Sequence, residues 1–338
     1  MPILEIKKHF TPFPLKNQWK SFEGKGINIY QTYYVQRTIF TRLPFYSIKG
    51  KYKPIYYEVL NNHQTVLIIP LCKYNGKDEY SIIGLFNGLQ SYDFIYDHSE
   101  SIETLSSYLS FFMKSLKYTK LYIKNMPQSS LVYQALQTAN FVDTVCTSKN
   151  VNIFVGSCYE EYYNSLSKHM RQNIRTSYNR LNKDGLDCEF QFYINQPIER
   201  RLINELIELY CNRHEKKYEV YSSKYKRFYL KYIDFSTYCQ QNHQNVYAIL
   251  KIDGVIAAFL SGLSGLIDKN SKSVIIPRLS INDDFLKYSP GIVLINETAK
   301  KLAENKNIDN LDLSKGDEKY KLSMGGEVYY TMDFGIMP

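Results

Sequence analysis

The chain reads as an α/β protein of two domains, each built on a mixed, mostly antiparallel sheet flanked by helices. Three observations predict this. A length of 338 residues exceeds what one compact domain needs and lets two domains each bury a core. Strand-like runs closed by tight-turn signals recur along the chain, with helix-patterned segments between them. The order of parts in residues 1–150 then begins again, with more members, in residues 151–338.

In the first half, YKPIYYEVL and QTVLIIPLCKY flank an Asn61-Asn62-His63 turn as in a hairpin, and EYSIIGLFNGL adds a third strand-like run. SIETLSSYLSFFMKSLK predicts a helix, with Ser101 or Glu100 near its start and Leu105, Leu109, Phe112 and Leu116 at helical spacing. KLYIKN follows as a strand and SSLVYQALQTA as a short helix. From VNIFVG onward the spacing predicts a helix from Tyr159 to Lys183, the strand CEFQFYI, and two further helices, PIERRLINELIELYCNRHEKK and SKYKRFYLKYIDFSTYCQQ. NVYAILKI and VIAAFLSGL flank Asp253-Gly254, the strongest short hairpin signal in the chain. SVIIPRLSIN reads as the next strand; it leads through DFLKYSPG into the helix-patterned INETAKKLAENKN and the short strand of IDNLDLSKGDEKYK.

Composition bounds the function. Hydrophobic residues at 44% and charged residues at 22% are ordinary for a globular protein and exclude a disordered or fibrous class. No apolar run approaches the roughly 20 residues that span a bilayer, and the charged start MPILEIKKHF lacks a signal-peptide core, so a cytoplasmic location is expected. Six scattered cysteines (Cys72, Cys146, Cys158, Cys188, Cys211, Cys239) form no CxxC pair and read as reduced thiols; six dispersed histidines give no HxH or HExxH, so no metal is expected. The net charge of +9 implies attraction to anions without choosing among nucleic acid, an anionic membrane or a phosphate-bearing small molecule. The 32 tyrosines suit a sugar-binding cleft or simply reflect an AT-rich coding sequence.

Four groups of residues are candidates for chemistry. Ser289-Pro290-Gly291, between an apolar strand and a helix, places Ser at an N-cap and Pro at the first helical position, which is either an ordinary helix start or an anion site. Gly291 favours the second, because a residue without Cβ lets a pyrophosphate approach the backbone, and Lys287 adds charge nearby. Pro277 interrupts the preceding strand, where it removes a ladder donor; Arg278 beside it faces either an acceptor or solvent. Asp317, Glu318 and Tyr320 in the GDEKYK cluster either cap a short helix or serve as titratable groups for proton transfer. Finally, Lys168, Arg171, Arg175, Tyr178 and Asn182 share one helix face opposite the apolar stripe Leu166, Met170, Ile174, Ser177 and Leu181; that basic face is either solvated or the wall of a groove for an anionic acceptor, with Arg171 and Arg175 its binding groups.

The same residues resemble a family. Tyr288-Ser289-Pro290-Gly291-Ile292-Val293-Leu294, then Leu311-Asp312-Leu313 and Gly316-Asp317-Glu318-Lys319-Tyr320-Lys321, look like the pattern YSPGxLL…(F/L)DFLxGDExYK. That pattern is carried by GNAT-like acetyltransferases of cellulose and other extracellular polysaccharide synthesis, relatives of the Fem-type transferases. Leu166 to Arg175 with Asp184-Gly185 is similar to that family's LSKKxRxNLRR…EG helix, and Gly88-Leu89-Gln90-Ser91-Tyr92-Asp93 to its G…SDYxD. The resemblance implies two tandem GNAT-like domains: a reduced one over residues 1–150 and an acyl-CoA-binding catalytic one over residues 151–338. It also implies acetyl-CoA as co-substrate, held by Arg278, Leu279, Lys287, Ser289, Pro290 and Gly291, with the pantetheine arm in a gap where the Pro277 strand splays from its neighbour. The usual GNAT loop (R/Q)xxGx(G/A) is absent, and SPG stands in its place.

The expected activity is therefore direct transfer of an acyl group to an amine or hydroxyl of a small-molecule or glycan-precursor acceptor, with no DNA partner. No Ser-His-Asp or Cys-His set suggests a covalent acyl-enzyme. Two alternatives stand beside it. One is a Fem-type aminoacyltransferase drawing on charged tRNA, although no long charged helical hairpin is evident; the other is a catalytically silent binding protein.

Overall fold

The computed structural model describes residues 3–46, 52–83, 91–217, 244–266, 272–305 and 308–338. The predicted helix SKYKRFYLKYIDFSTYCQQ and Gly88-Leu89-Gln90 lie outside the described residues. The chain folds as two compact units, Met1–Lys149 with Tyr330–Pro338, and Asn150–Gly265 with Ser271–Tyr329. The final strand thus ends in the first unit, whereas the expected span 151–338 assigns it to the second.

The first unit contains β1 (Leu4–His9), α1 (Lys16–Lys20), α2 (Tyr33–Tyr46), β2 (Tyr52–Asn61), β3 (Gln64–Tyr74), β4 (Glu79–Ile82), β5 (Ile95–Tyr96), α3 (Ile102–Ser115), β6 (Lys120–Pro127) and α4 (Leu131–Thr138). Its strands run in the order β1-β2-β3-β4-β6, with β5 paired to β3; only β4 and β6 are parallel. The β2–β3 hairpin closes between Asn61 and Gln64, and its two loop residues, Asn62 (φ 48°) and His63 (φ 64°), both adopt the left-handed region that a two-residue turn of this twist requires. Ser101 caps α3 by accepting from the Thr104 amide at 3.2 Å. The strand β1 and the helices α1 and α2 carry no strong periodicity. They are fixed instead by tertiary contacts such as the buried Trp19, whose Nε1 donates to the Gln31 carbonyl at 2.7 Å.

The chain enters the second unit within β7 (Val142–Phe154), and continues as α5 (Tyr159–Ser165), α6 (Lys168–Lys183), β8 (Cys188–Ile194), α7 (Arg200–Lys217), β9 (Asn245–Ile252), β10 (Val255–Leu266), β11 (Lys272–Ile281), α8 (Pro290–Glu304), β12 (Asn310–Lys315), α9 (Lys319–Ser323) and β13 (Gly326–Ile336). Within this unit the order is β7-β12-β11-β10-β9-β8; β7 with β12, β10 with β9 and β9 with β8 are antiparallel, and β11 with β12 is parallel. The one helix expected from Tyr159 to Lys183 is two. Leu166 ends α5, and Ser167 turns extended and accepts the Met170 amide at 3.1 Å, so a local N-cap overrides a continuous apolar stripe. Asp253 and Gly254 form the β9–β10 turn with φ of 49° and 74°.

The near-continuous apolar run of β9 follows from burial on both faces. Val246, Ala248 and Leu250 pack in a core with Met170, Ile174, Val293 and Leu294, while Tyr247 and Ile249 pack with Leu206 and Cys211 of α7. Each fully buried Leu, Ile or Val side chain there contributes roughly 1.5–3 kcal/mol. The two layers clamp the sheet and fix the ends of β11 and β12 beside the start of α8.

Candidate active site

Strands β11 and β12 pair over Ser273, Val274 and Ile275, opposite Asn310, Leu311 and Asp312, and the register ends there, although β11 continues to Ile281. The alternation of β11 also slips. Val274 and Ile276 share one core with Leu279 and Ile281, so the inward face changes parity across Pro277. A residue without an N–H at the point of departure suits both effects, because it withdraws a donor from the ladder just where the alternation slips by one residue. Gly262 of β10 supports the other edge of β11. A Cβ there would lie 1.8 Å from the Ile275 carbonyl oxygen, so the strands approach this closely only with glycine.

After β11, a 3₁₀ segment from Asp283 to Tyr288 leads to α8. Ser289 occupies the cap position as expected but makes no capping bond: its φ of 53° is left-handed, and its carbonyl instead accepts the Ile292 and Val293 amides at 3.0 and 3.2 Å. Pro290 is at the first helical position and has no N–H, so the amide of Gly291 is the first that the helix presents. A Cβ on Gly291 would stand 3.3 Å from Ile281 Cγ2 and would fill the crook between the end of β11 and the helix. The end of α6 pins this loop. Arg180 Nη1 donates to the Lys287 carbonyl at 2.9 Å, Tyr288 OH donates to Asp184 at 2.8 Å, and Lys287 Nζ lies 2.5 Å from the same carboxylate. Lys287 and Tyr288 hold the Asp184 carboxyl below its ordinary range, so the Lys287 charge expected at the helix start is shared with an acid. Arg180, whose place in a helical pattern gives no sequence signal of a role, is the second cation at this loop.

The GDEKYK segment is organised around a buried lysine. Lys321 Nζ donates to the carbonyls of Ser314, Lys315 and Gly316 at 3.4, 2.8 and 3.2 Å and lies 3.0 Å from Glu318. Asp312 is buried beneath the same loop, accepting from the Ser314 amide and from Tyr329 OH, both at 2.7 Å; burial pushes its carboxyl up to about 6. Glu318 precedes α9 at the cap position without a capping bond, and Asp317 is exposed beside it. Tyr320 packs against the core, and burial, with a smaller push from Glu318, raises its phenol to about 12, opposed by the Arg213 charge. Arg213 of α7 also donates to the Ile281 carbonyl at 3.4 Å. The end of β11, the start of α8, Arg213 and Tyr320 therefore form one neighbourhood. Lys321 and Arg213 gave no sequence signal of a role: the first stood in a recognised motif without an assignment, and the second in an ordinary helical pattern.

The stripe Leu166, Met170, Ile174, Ser177 and Leu181 is buried as read, but Tyr178 is half-buried and donates to Glu297 rather than lining a polar face. Arg171 Nη1 donates to the Asn164 carbonyl at 2.6 Å and Arg175 Nη2 to Gln172 at 3.1 Å, both within their own helical neighbourhood. Arg278 and Leu279 lie half-buried just past the point where β11 leaves β12. Among the described residues no group of His, Cys, Asp and Glu could hold a metal ion.

Residues 168–322 match the protein-family model described as acetyltransferase (GNAT) domain. The fold is the GNAT fold. The GNAT resemblance extends over both units in solved structures. FemX superposes with a TM-score of 0.64 over 99% of this chain and 97% of its own at 10% identity. A conserved protein of unknown function from Bacteroides thetaiotaomicron gives 0.59 over 99% and 100% at 12% identity, and a tandem GNAT protein from the clavulanic acid biosynthesis pathway gives 0.50 over 99% and 98% at 8% identity. At such identities the likeness is one of fold. No curated protein sequence matches the chain.

Proposed function

We propose that the second unit is an acyltransferase that moves an acyl group, acetyl in the first instance, from its coenzyme A thioester directly to an amine or hydroxyl of a sugar or cell-envelope precursor. The observation that carries this reading is the departure of β11 from β12 after Ile275 beside the Gly291 end of α8, within a stretch that matches a GNAT domain. A backbone edge without a sheet partner suits the amides of a pantetheine arm, and a helix start with glycine at its first amide suits a pyrophosphate. Arg278, Leu279, Ser289, Pro290 and Gly291 would hold the cofactor, with Lys287 and Arg180 adding charge. Bound there, the thioester supplies an activated acyl carbon.

The chain's own residues then manage protons. Asp317 or Glu318 accepts the acceptor's proton as the new C–N or C–O bond forms and the C–S bond breaks. Tyr320 keeps its proton at neutral pH. With a phenol at about 12 and an ordinary thiol near 8.5, full transfer to the leaving sulfur is uphill by about 5 kcal/mol. Its contribution is a hydrogen bond to the developing thiolate, with water completing the protonation.

A Fem-type aminoacyltransferase is the second reading, favoured by the likeness to FemX over nearly the whole of both chains. Calorimetry with acetyl-CoA, coenzyme A and an aminoacyl-tRNA separates the two. Binding of acetyl-CoA that weakens at least about tenfold, some 1.4 kcal/mol, in Gly291→Val supports the first. Binding of the tRNA alone replaces it with the second, and unchanged acetyl-CoA affinity in folded Gly291→Val moves the cofactor site elsewhere.

A further inference from the structure

The first unit contains a cavity of about 440 Å³ lined by residues of β1, β2, the β3–β4 hairpin and the end of α3. That volume is in the range of sites for small ligands. Sheet registry explains why its charged groups converge. Lys8 is directly opposite Tyr57, and Lys73 directly opposite Tyr80, so each lysine shares a sheet face with an aromatic ring. Lys8 Nζ lies 6.0 Å from the Tyr57 ring centre and Lys73 Nζ 5.4 Å from that of Tyr80. Phe112 closes the apolar wall, with its ring 5.1 Å from Tyr57 at an interplanar angle of 64°, and Lys117 follows at the end of the same helix.

The charge balance of the cavity is positive. Lys73 is paired with Asp78 at 2.6 Å, whereas among the described residues no carboxylate lies within ion-pair distance of Lys8 or Lys117. The Asp78 carboxyl is held low first by its bond to Lys73 and further by the Lys117 charge, so these ammonium groups act on the same space. Two cations without an ion-pair partner, in a cavity with aromatic walls, match a dianion attached to a ring, since lysine binds phosphate as a point charge and ring faces cover the apolar side of a sugar or base.

We propose that this cavity, separate from the acyl-transfer site, binds a small phosphate-bearing ring compound through Lys8, Lys73 and Lys117, with Tyr57, Tyr80 and Phe112 against the ring. Glucose 1-phosphate and uridine 5′-monophosphate distinguish a sugar from a base as the ring, and glucose and inorganic phosphate test each half alone. Calorimetry on the full chain is expected to give binding for at least one of the two phosphate-bearing rings and weaker or no binding for glucose and inorganic phosphate. In Lys8→Gln/Lys117→Gln the affinity is expected to fall at least about tenfold with the melting temperature unchanged, because both side chains are exposed. Lys53→Gln/Lys124→Gln, which removes the same charge outside the cavity, is expected to bind as the wild type does. Absence of binding by both phosphate-bearing rings to about 10 mM, a Kd equivalent to about 2.7 kcal/mol, overturns the proposal. So does an equal loss in the control pair, which would mark the effect as general attraction to a basic protein. Should the double variant melt early, Lys117→Gln alone carries the comparison.

Discussion

Lys321 and Glu318 stand 3.0 Å apart in opposite environments, the lysine side chain 5% exposed and the glutamate 55%. The pair is thus a buried cation meeting a carboxylate at the protein surface, and the carbonyls of residues 314–316 complete the lysine's coordination. The ammonium acts as a staple that fixes the backbone carrying Asp317 and Glu318.

Replacing Lys321 by Met removes the donor to three carbonyls and is expected to cost on the order of 2–3 kcal/mol, since an unsatisfied buried polar group costs about 1–3. The loss is offset in part by no longer burying a charge. Urea denaturation measures it. A variant as stable as the wild type would mean that water serves these carbonyls equally well.

Asp312 gives stability a pH dependence of defined sign. Its folded carboxyl is raised from 3.8 to about 6, so the folded state holds the proton more tightly than the unfolded chain. The resulting stabilisation is fully present below about pH 4 and is lost as pH rises through about 6, a change of roughly 3 kcal/mol at most. The stability of the wild type relative to Asp312→Asn is expected to decline over that interval. Parallel curves from pH 4 to 7 would remove Asp312 as the source.

If Tyr320 hydrogen-bonds the leaving thiolate as proposed, Tyr320→Phe is expected to lower kcat by about 10²-fold, at the lower end of general-acid effects. Asp317→Asn and Glu318→Gln test the base in the same assay. A catalytic group lowers turnover at constant melting temperature; turnover near wild type in all three variants places proton transfer elsewhere.

If Arg171 and Arg175 steer an anionic acceptor, Arg171→Gln/Arg175→Gln raises its KM without changing acetyl-CoA affinity, and the defect shrinks at high salt as the Debye length falls from about 10 Å at 0.1 M. A KM that does not change at any ionic strength assigns both arginines to the solvated face of α6.

Gly262→Ala brings a Cβ against the Ile275 carbonyl at 1.8 Å and is expected to destabilise by several kcal/mol, beyond the usual 1–3 of overpacking, because backbone rather than a flexible side chain is in the way. Thermal melting reads the effect, and a loss under about 1 kcal/mol would mean that β10 and β11 separate at little cost.

The sequence made the two hairpins, the helix α3, the strand β11 and the start of α8 legible because each depends on local signals: paired turn residues at Asn62-His63 and Asp253-Gly254, apolar periodicity, and a proline at a first helical position. It left β1, α1 and α2 unread, since Trp19 and its partners fix them through distant contacts. The break at Leu166–Ser167 was hidden by an apolar stripe that both helices share. At the candidate site, the motif residues were visible but their electrostatics were not. Nothing in the one-dimensional string says that Lys287 faces Asp184, or that Arg213, about a hundred residues from Tyr320, shares its surroundings.

The short pairing of β11 with β12 also sets how the second unit breathes. Three registered residues tie these neighbours together, and beyond Ile275 the sheet neighbour of β11 is β10. Local opening there disrupts fewer contacts than opening the β8–β9 pair, whose register runs unbroken from Cys188 to Ile194. Amides from Arg278 to Ile281 are therefore expected to exchange with deuterium sooner than those of β9, so that the margin of β11 is the least protected stretch of an otherwise slow-exchanging sheet.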